Sequence, residues 1–82
     1  MTITDFLLAR IAEDEDYAYA ALVVAAGRWG PARVMAEAQA KRNIVNAYVR
    51  ASEDVGLAIA VAHLAAAYSD HPDYDPSWHL AA

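Results

Sequence analysis

The stretch Ser69-Asp70-His71-Pro72-Asp73-Tyr74-Asp75-Pro76-Ser77-Trp78-His79 crowds carboxylates and imidazoles into one short segment. Those two groups together bind zinc or manganese, so Asp70, His71, Asp73 and His79 are the candidate metal ligands. A small metal-dependent enzyme or sensor would have to be built from them. Metal sites, however, draw ligands from rigid elements at recognised spacings, and neither the zincin helix motif nor an EF-hand loop is present. The same segment has a structural use. Pro72 and Pro76 stiffen a coil that would lay the large aromatics Tyr74 and Trp78 across an apolar surface. The expectation is therefore packing by Tyr74 and Trp78, with no catalytic residue, cofactor or metal. Elsewhere the chain has no cysteine, glycine-rich phosphate loop or nucleophile elbow, and Ser52, Ser69 and Ser77 fall at caps or in coil.

The elements that must hold this segment are helical. Apolar residues make up 59% of the 82, alanine dominates, and glycine and proline number three each. From Val55 to Tyr68 the chain reads VGLAIAVAHLAAAY, apolar on every side of a helix and interrupted only by His63. Such a helix needs cover from neighbouring helices, and a chain this small is expected to take part of that cover from a second copy. The run is too short to span a bilayer, which takes about 20 residues, so no membrane association is expected. The acidic residues near the amino terminus do not fit a secretory signal, and a cytoplasmic location is expected. The missing cysteines rule out disulfides and thiolate zinc sites and leave the redox compartment open.

Fold class is expected to be all-α: a three-helix bundle, or a helical hairpin plus a third helix, with an ordered aromatic C-terminal coil. The whole of 1–82 reads as one domain, with helices at about 3–26, 31–51 and 53–68 and coil over 69–82. Thr2 or Thr4 would cap the first helix, with Asp5 near the positive end of its dipole. Its core stripe would be Ile3, Leu7, Ile11, Ala18, Leu22 and Ala25, with a polar step at Asp14. Gly27 would end it, Trp29-Gly30-Pro31 would turn, and Pro31 would open the second helix. That helix would turn Val34, Met35, Ala38, Val45 and Val49 inward and set Arg33, Glu37 and Lys41 in an outward ladder. Ser52 would cap the third helix, with Glu53 and Asp54 in its first turn and Gly56 weakening its start. The rival is one unbroken helix from Pro31 to Tyr68, roughly 57 Å long at 1.5 Å per residue.

The formal charge of −5 divides unevenly, with −4 over residues 1–27, +4 over 28–52 and −5 over 53–82. A hairpin about residues 28–30 brings Glu15 and Asp16 to Lys41 and Arg42, where opposite charges would fix the register. A second hairpin about Ser52 sets His63 near Arg42, Asn43 and Asn46, and Asn43 and Asn46 could bond to His63 and select one packing. Tyr17, Tyr19, Tyr48 and Tyr68, spread along the helices, read as packing residues.

Three stretches carry a resemblance: Thr4-Asp5-Phe6-Leu7-Leu8-Ala9-Arg10-Ile11-Ala12-Glu13-Asp14-Glu15; Pro31-Ala32-Arg33-Val34-Met35-Ala36-Glu37 with Ala40-Lys41-Arg42-Asn43-Ile44-Val45; and Tyr68-Ser69-Asp70-His71-Pro72-Asp73-Tyr74. In this order they resemble an uncharacterised family of small proteins from actinobacteria and their phages, a domain of unknown function. The resemblance implies no activity and no catalytic residue. The longer segments that family members carry between these blocks are missing or nearly so, and the helices are richer in alanine. That pattern fits either natural divergence or a designed sequence.

The leading functional expectation is a non-enzymatic helical protein–protein interaction module, homodimeric, and a phage or mobile-element accessory protein that binds and inhibits a host protein. The alternative is the small metal-dependent enzyme or sensor of the Asp/His-rich segment. A DNA-binding regulator ranks third, with Arg28, Arg33, Lys41, Arg42 and Arg50 as its basic residues. The acidic ends of the chain oppose the continuous positive surface that phosphate contact needs.

Overall fold

A computed structural model of the chain describes residues 1–21 and 30–80. All their regular structure is helical: α1 (Ile3–Ala21), α2 (Pro31–Arg50), α3 (Val55–Ala66) and a single 3-10 turn, Pro76–Trp78. They form a three-helix bundle in which α1 packs mainly on α2, α3 packs on both, and the 3-10 turn rests against α3.

Each start has a local cause. Thr2 caps α1, its hydroxyl accepting from Asp5 N–H at 3.1 Å while the Asp5 carboxylate accepts from Thr2 N–H at 3.5 Å, a reciprocal box. Gly30 precedes α2 without a side-chain cap, and buried Pro31 takes the first position, where its missing N–H costs nothing. The helices at 31–50 and 55–66 are separate, joined by a turn over residues 51–54. Asp54, not Ser52, caps α3: its carboxylate accepts from Leu57 N–H at 2.9 Å. Gly56 suits this cap, because a Cβ there would lie 3.2 Å from Asp54 Oδ1, tighter than ordinary contact.

Phe6, Leu7, Ile11, Ala38, Val45, Val61 and Ala65 form the buried core, flanked by Ile3, Leu8, Ile44, Tyr48, Leu64 and Tyr68. Leu7, Ile11 and Ala18 lie on the expected α1 stripe, whereas Leu22, Ala25, Gly27, Arg28 and Trp29 fall outside the described residues. Val49 is not inward; it shares the row of Ala38 and Val45 but lies in the last turn of α2, and it is 56% exposed. The ladder on α2 also stops short. Arg33 Nε donates to Glu37 at 3.0 Å, but Lys41 turns away to Tyr68 at the end of α3. Cover of α3 by its own chain is partial, because the two neighbouring helices reach only one side. Val61, Ala62 and Ala65 are buried, Leu64 is half-buried, and Val55, Ile59 and His63 are exposed.

Phe6 is the largest wholly buried side chain. Phe6→Ala is expected to lose about 3–5 kcal/mol, much of the stability of a domain this size. Val49→Ala should change stability by less than about 0.5 kcal/mol. Urea titration of the two variants checks the contrast.

Candidate functional site

The chemistry-bearing side chains meet along a second stripe of α1. Phe6, Arg10 and Asp14 recur every four residues and so share a face, turned from the Leu7–Ile11–Ala18 face by about one residue. The chain after α3 closes over this stripe. Phe6 meets the rings of Tyr68, His71 and Tyr74 edge-on, with centroids 6.3, 5.7 and 5.9 Å away, and Trp78 tilted at 5.1 Å. Tyr74 and Trp78 are themselves edge-to-face at 5.6 Å. Tyr74 and Trp78 thus lie back on the bundle as their aromatic character implied, and the ring that receives them is Phe6. The expected core stripe omitted Phe6, although its position four residues before Arg10 was the available signal.

Arg10 is the one buried charged residue among those described, 8% exposed. Its guanidinium sits 5.3 Å from the Phe6 ring centre, pairs with Glu13 at 3.0 Å and donates through Nη1 to His71 Nε2. Asp73 N–H also points at the ring, 3.0 Å from Nδ1. A neutral imidazole has a single acceptor nitrogen, so His71 can serve these donors one at a time.

Beyond Arg10 the seam becomes a short polar chain. The Tyr68 hydroxyl donates to Asp14 Oδ2 at 2.7 Å and accepts from Lys41 Nζ at 3.3 Å. Burial, then the bond to Asp14 and its charge, push the Tyr68 phenol well above its ordinary 10.0. The polar step at Asp14 is therefore the acceptor for a residue at the far end of the chain. Next to it Arg42 donates to Glu15. Of the four charges expected to set the α1–α2 register, Glu15 and Arg42 make the bridge, Lys41 goes to Tyr68, and Asp16 is exposed. His63, Asn43 and Asn46 do not form the expected cluster. All three are exposed, no hydrogen bond joins them, and Asn43 accepts instead from Gln39 Nε2 at 3.0 Å. The cause is rotational: α3 turns Val61, Ala62 and Ala65 inward, which carries His63 to the outer side.

Asp70, His71, Asp73 and His79 are placed by a succession of turns after α3. Among the described residues no three His, Asp or Glu side chains converge as a metal site. The Arg10 cation beside His71 Nε2 also opposes a second cation there. Asp75 has a structural role: its carboxylate accepts from Ser77 N–H at 2.9 Å and caps the 3-10 turn. Hydrogen bonds from the Ser77 backbone and hydroxyl hold Asp75 below the usual carboxylate range. This contribution is present above that range and lost as the pH falls through the lowered value.

Every stretch of this seam lies inside one family match, which spans residues 1–80. The chain belongs to the Family of unknown function (DUF6221). The DUF6221 match takes in the three stretches quoted above together with the intervals between them. No curated protein and no solved structure matches the chain. The DUF6221 assignment therefore carries no reaction or ligand, and the seam has to be read from its own geometry. That geometry ties the C-terminal coil to α1 by ring packing at Phe6, a cation at Arg10 and a phenol at Tyr68.

Among the described residues, the buried polar atoms Arg10 Nε and Tyr74 OH have no hydrogen-bond partner. An unsatisfied buried hydroxyl is a cost, so Tyr74→Phe is expected to be neutral or to stabilise by up to about 1 kcal/mol. Tyr68→Phe should instead destabilise by about 1 kcal/mol, through loss of the Asp14 bond at a half-buried site. The folded-state phenol is raised, so the Tyr68 contribution is complete below pH 10.0 and is lost as the pH rises beyond it. Urea titrations of parent and Tyr68→Phe across the alkaline range should show a constant gap that closes above that pH.

Proposed function

We propose that this DUF6221 member is a non-enzymatic helical protein–protein interaction module that self-associates as a homodimer. One observation carries the reading: Phe6, Arg10, Asp14, Tyr68 and His71 are engaged with one another in holding the coil to α1, while large apolar side chains stand exposed on the helices. Tyr17 and Tyr19 on α1, Val49 on α2, and Val55 and Ile59 on α3 are all exposed. Single exposed apolar residues are ordinary, but several on the helices of an 82-residue chain fit surfaces that other proteins cover.

In this reading the chain serves as a phage or mobile-element accessory protein of actinobacteria, acting in the cytoplasm. The resemblance of its three sequence blocks motivates that role. None of its described helices is long and apolar enough to cross a membrane. The outward side of α1, with Glu13, Asp16, Tyr17 and Tyr19, offers carboxylates and phenol rings together, which suits a host protein with a basic surface. The arginines and lysines of α2 fit internal pairing better than phosphate binding, since Arg33 pairs with Glu37 and Arg42 with Glu15.

Light scattering at micromolar concentration tests self-association. The expected outcome is a mass that rises with concentration toward twice that of the chain, and a mass that stays at one chain throughout sinks the homodimer. For a host partner, affinity capture with the parent and with a Tyr17→Ser, Tyr19→Ser double variant should yield a protein held by the parent alone. Equal capture by both would exclude the α1 surface.

A further inference from the structure

Among the described residues, one hydrogen bond joins the segment 69–80 to α1, and it runs from Arg10 Nη1 to His71 Nε2. Turns on both sides fix the backbone of His71, whose N–H donates to the Tyr68 carbonyl at 2.9 Å and whose carbonyl accepts from Tyr74 N–H at 3.0 Å. A shift of His71 therefore carries Tyr74 with it, and Trp78 packs on Tyr74.

That tether depends on the charge of one ring. Arg10 Nη1 meets Nε2 and Asp73 N–H meets Nδ1, so donors face both ring nitrogens. The neutral ring accepts from one of them, whereas the protonated ring accepts from neither and turns N–H against N–H on both sides. Protonation also sets an imidazolium against a guanidinium that is only 8% exposed. The other charged groups around the ring are committed or solvated. Glu13 already pairs with Arg10 at 3.0 Å and its side chain is 60% exposed, while Asp70 and Asp73, beside His71 in the chain, are exposed. Further along the seam Asp14 accepts from the Tyr68 hydroxyl, and Lys41 on α2 is another cation. Phe6, which His71 meets edge-on, brings no charge, and the buried Tyr74 hydroxyl makes no hydrogen bond to the ring.

From this geometry we infer that residues 71–78 form an acid-released strap: protonation of His71 frees them from α1 and bares the rings of Phe6, Tyr74 and Trp78. The proton binds the open form, so closure holds at neutral and higher pH and is lost as the pH falls through the imidazole range, about pH 8 to 5. The helices keep the contacts among Leu7, Ile11, Val45, Val61 and Ala65, at reduced stability. Asp75 is not the trigger, because its carboxyl is held below the usual carboxylate range and stays ionised at about pH 5.

Trp78 reports the opening. The chain has two tryptophans, so Trp29→Phe leaves Trp78 as the single fluorophore of its kind. Acrylamide quenching of Trp78, followed from about pH 8 to about pH 5 with circular dichroism at each point, is expected to rise about twofold or more while the helix signal holds. His71→Gln keeps an amide oxygen to accept from Arg10 and takes up no proton, so its quenching should stay flat. His63→Gln and His79→Gln change exposed imidazoles away from the tether and should follow the parent. Flat quenching in the parent overturns the strap, and so does a rise in His71→Gln equal to the parent's or a loss of helix in step with the rise. Should His71→Gln leave the strap open at every pH, the NMR signal of the His71 ring in the parent decides. Its titration and the rise in Trp78 quenching share one midpoint if His71 is the trigger, and separate midpoints overturn the assignment.

Discussion

Phe6 sits one turn into α1, yet the rings that bury it belong to Tyr68, His71, Tyr74 and Trp78 at the other end of the chain. Three short helices cannot cover α1 on two sides. Helix α2 takes the side with Leu7, Ile11 and Ala18, and the Phe6–Arg10–Asp14 side stays open until the coil after α3 crosses it. Large aromatic rings bury more apolar area per residue than the alanines that dominate these helices, so closing this side supplies a large share of the core. The buried guanidinium of Arg10 follows from that closure. It is tolerable because a ring face, a carboxylate and an imidazole surround it.

The helices were legible in the sequence because their signals are local. Pro31 opens α2, a hydroxyl near the amino terminus caps α1, and no strand pattern competes. The register between α1 and α2 was legible at Glu15 and Arg42, because opposite charges on the two helices leave few alternatives once a hairpin is expected. What failed was rotation about a helix axis. An alanine-rich helix such as α3 has nearly the same apolarity on every side, so its periodicity does not say which side faces inward. The reading that put His63 among Asn43 and Asn46 failed for that reason. Helix α1 misled differently. Its stripe was read as one face with a flaw at Asp14, when Phe6, Arg10 and Asp14 mark a second face whose partners are too distant in sequence for any local pattern to name. The cap of α3 moved from Ser52 to Asp54 because a serine and two adjacent acids all favour a cap, and it is the Asp54 carboxylate that reaches Leu57 N–H.

The charge division along the chain resolves into local pairings. Part of the acidity of α1 is met by Arg10, Arg42 and the Tyr68 hydroxyl at the seam, and Arg33 meets Glu37 within α2. Such half-exposed pairs add modestly to stability but strongly disfavour a shifted register, because sliding α1 against α2 would leave Glu15 and Arg42 without each other. The acids outside the seam keep the surface negative.

The aromatic cover also fixes an order of events during synthesis. Phe6 leaves the ribosome long before Tyr74 and Trp78 are translated, and its contacts with them lie at nearly the greatest sequence separation this chain allows. Helices α1 and α2 can pair early, with a bare ring on their flank that invites chaperones, proteases or other nascent chains. Completion of the coil hides it. A premature stop anywhere between Tyr68 and Trp78 therefore yields a product that lacks a large share of its core and carries a bare ring, which cellular quality control is well equipped to detect.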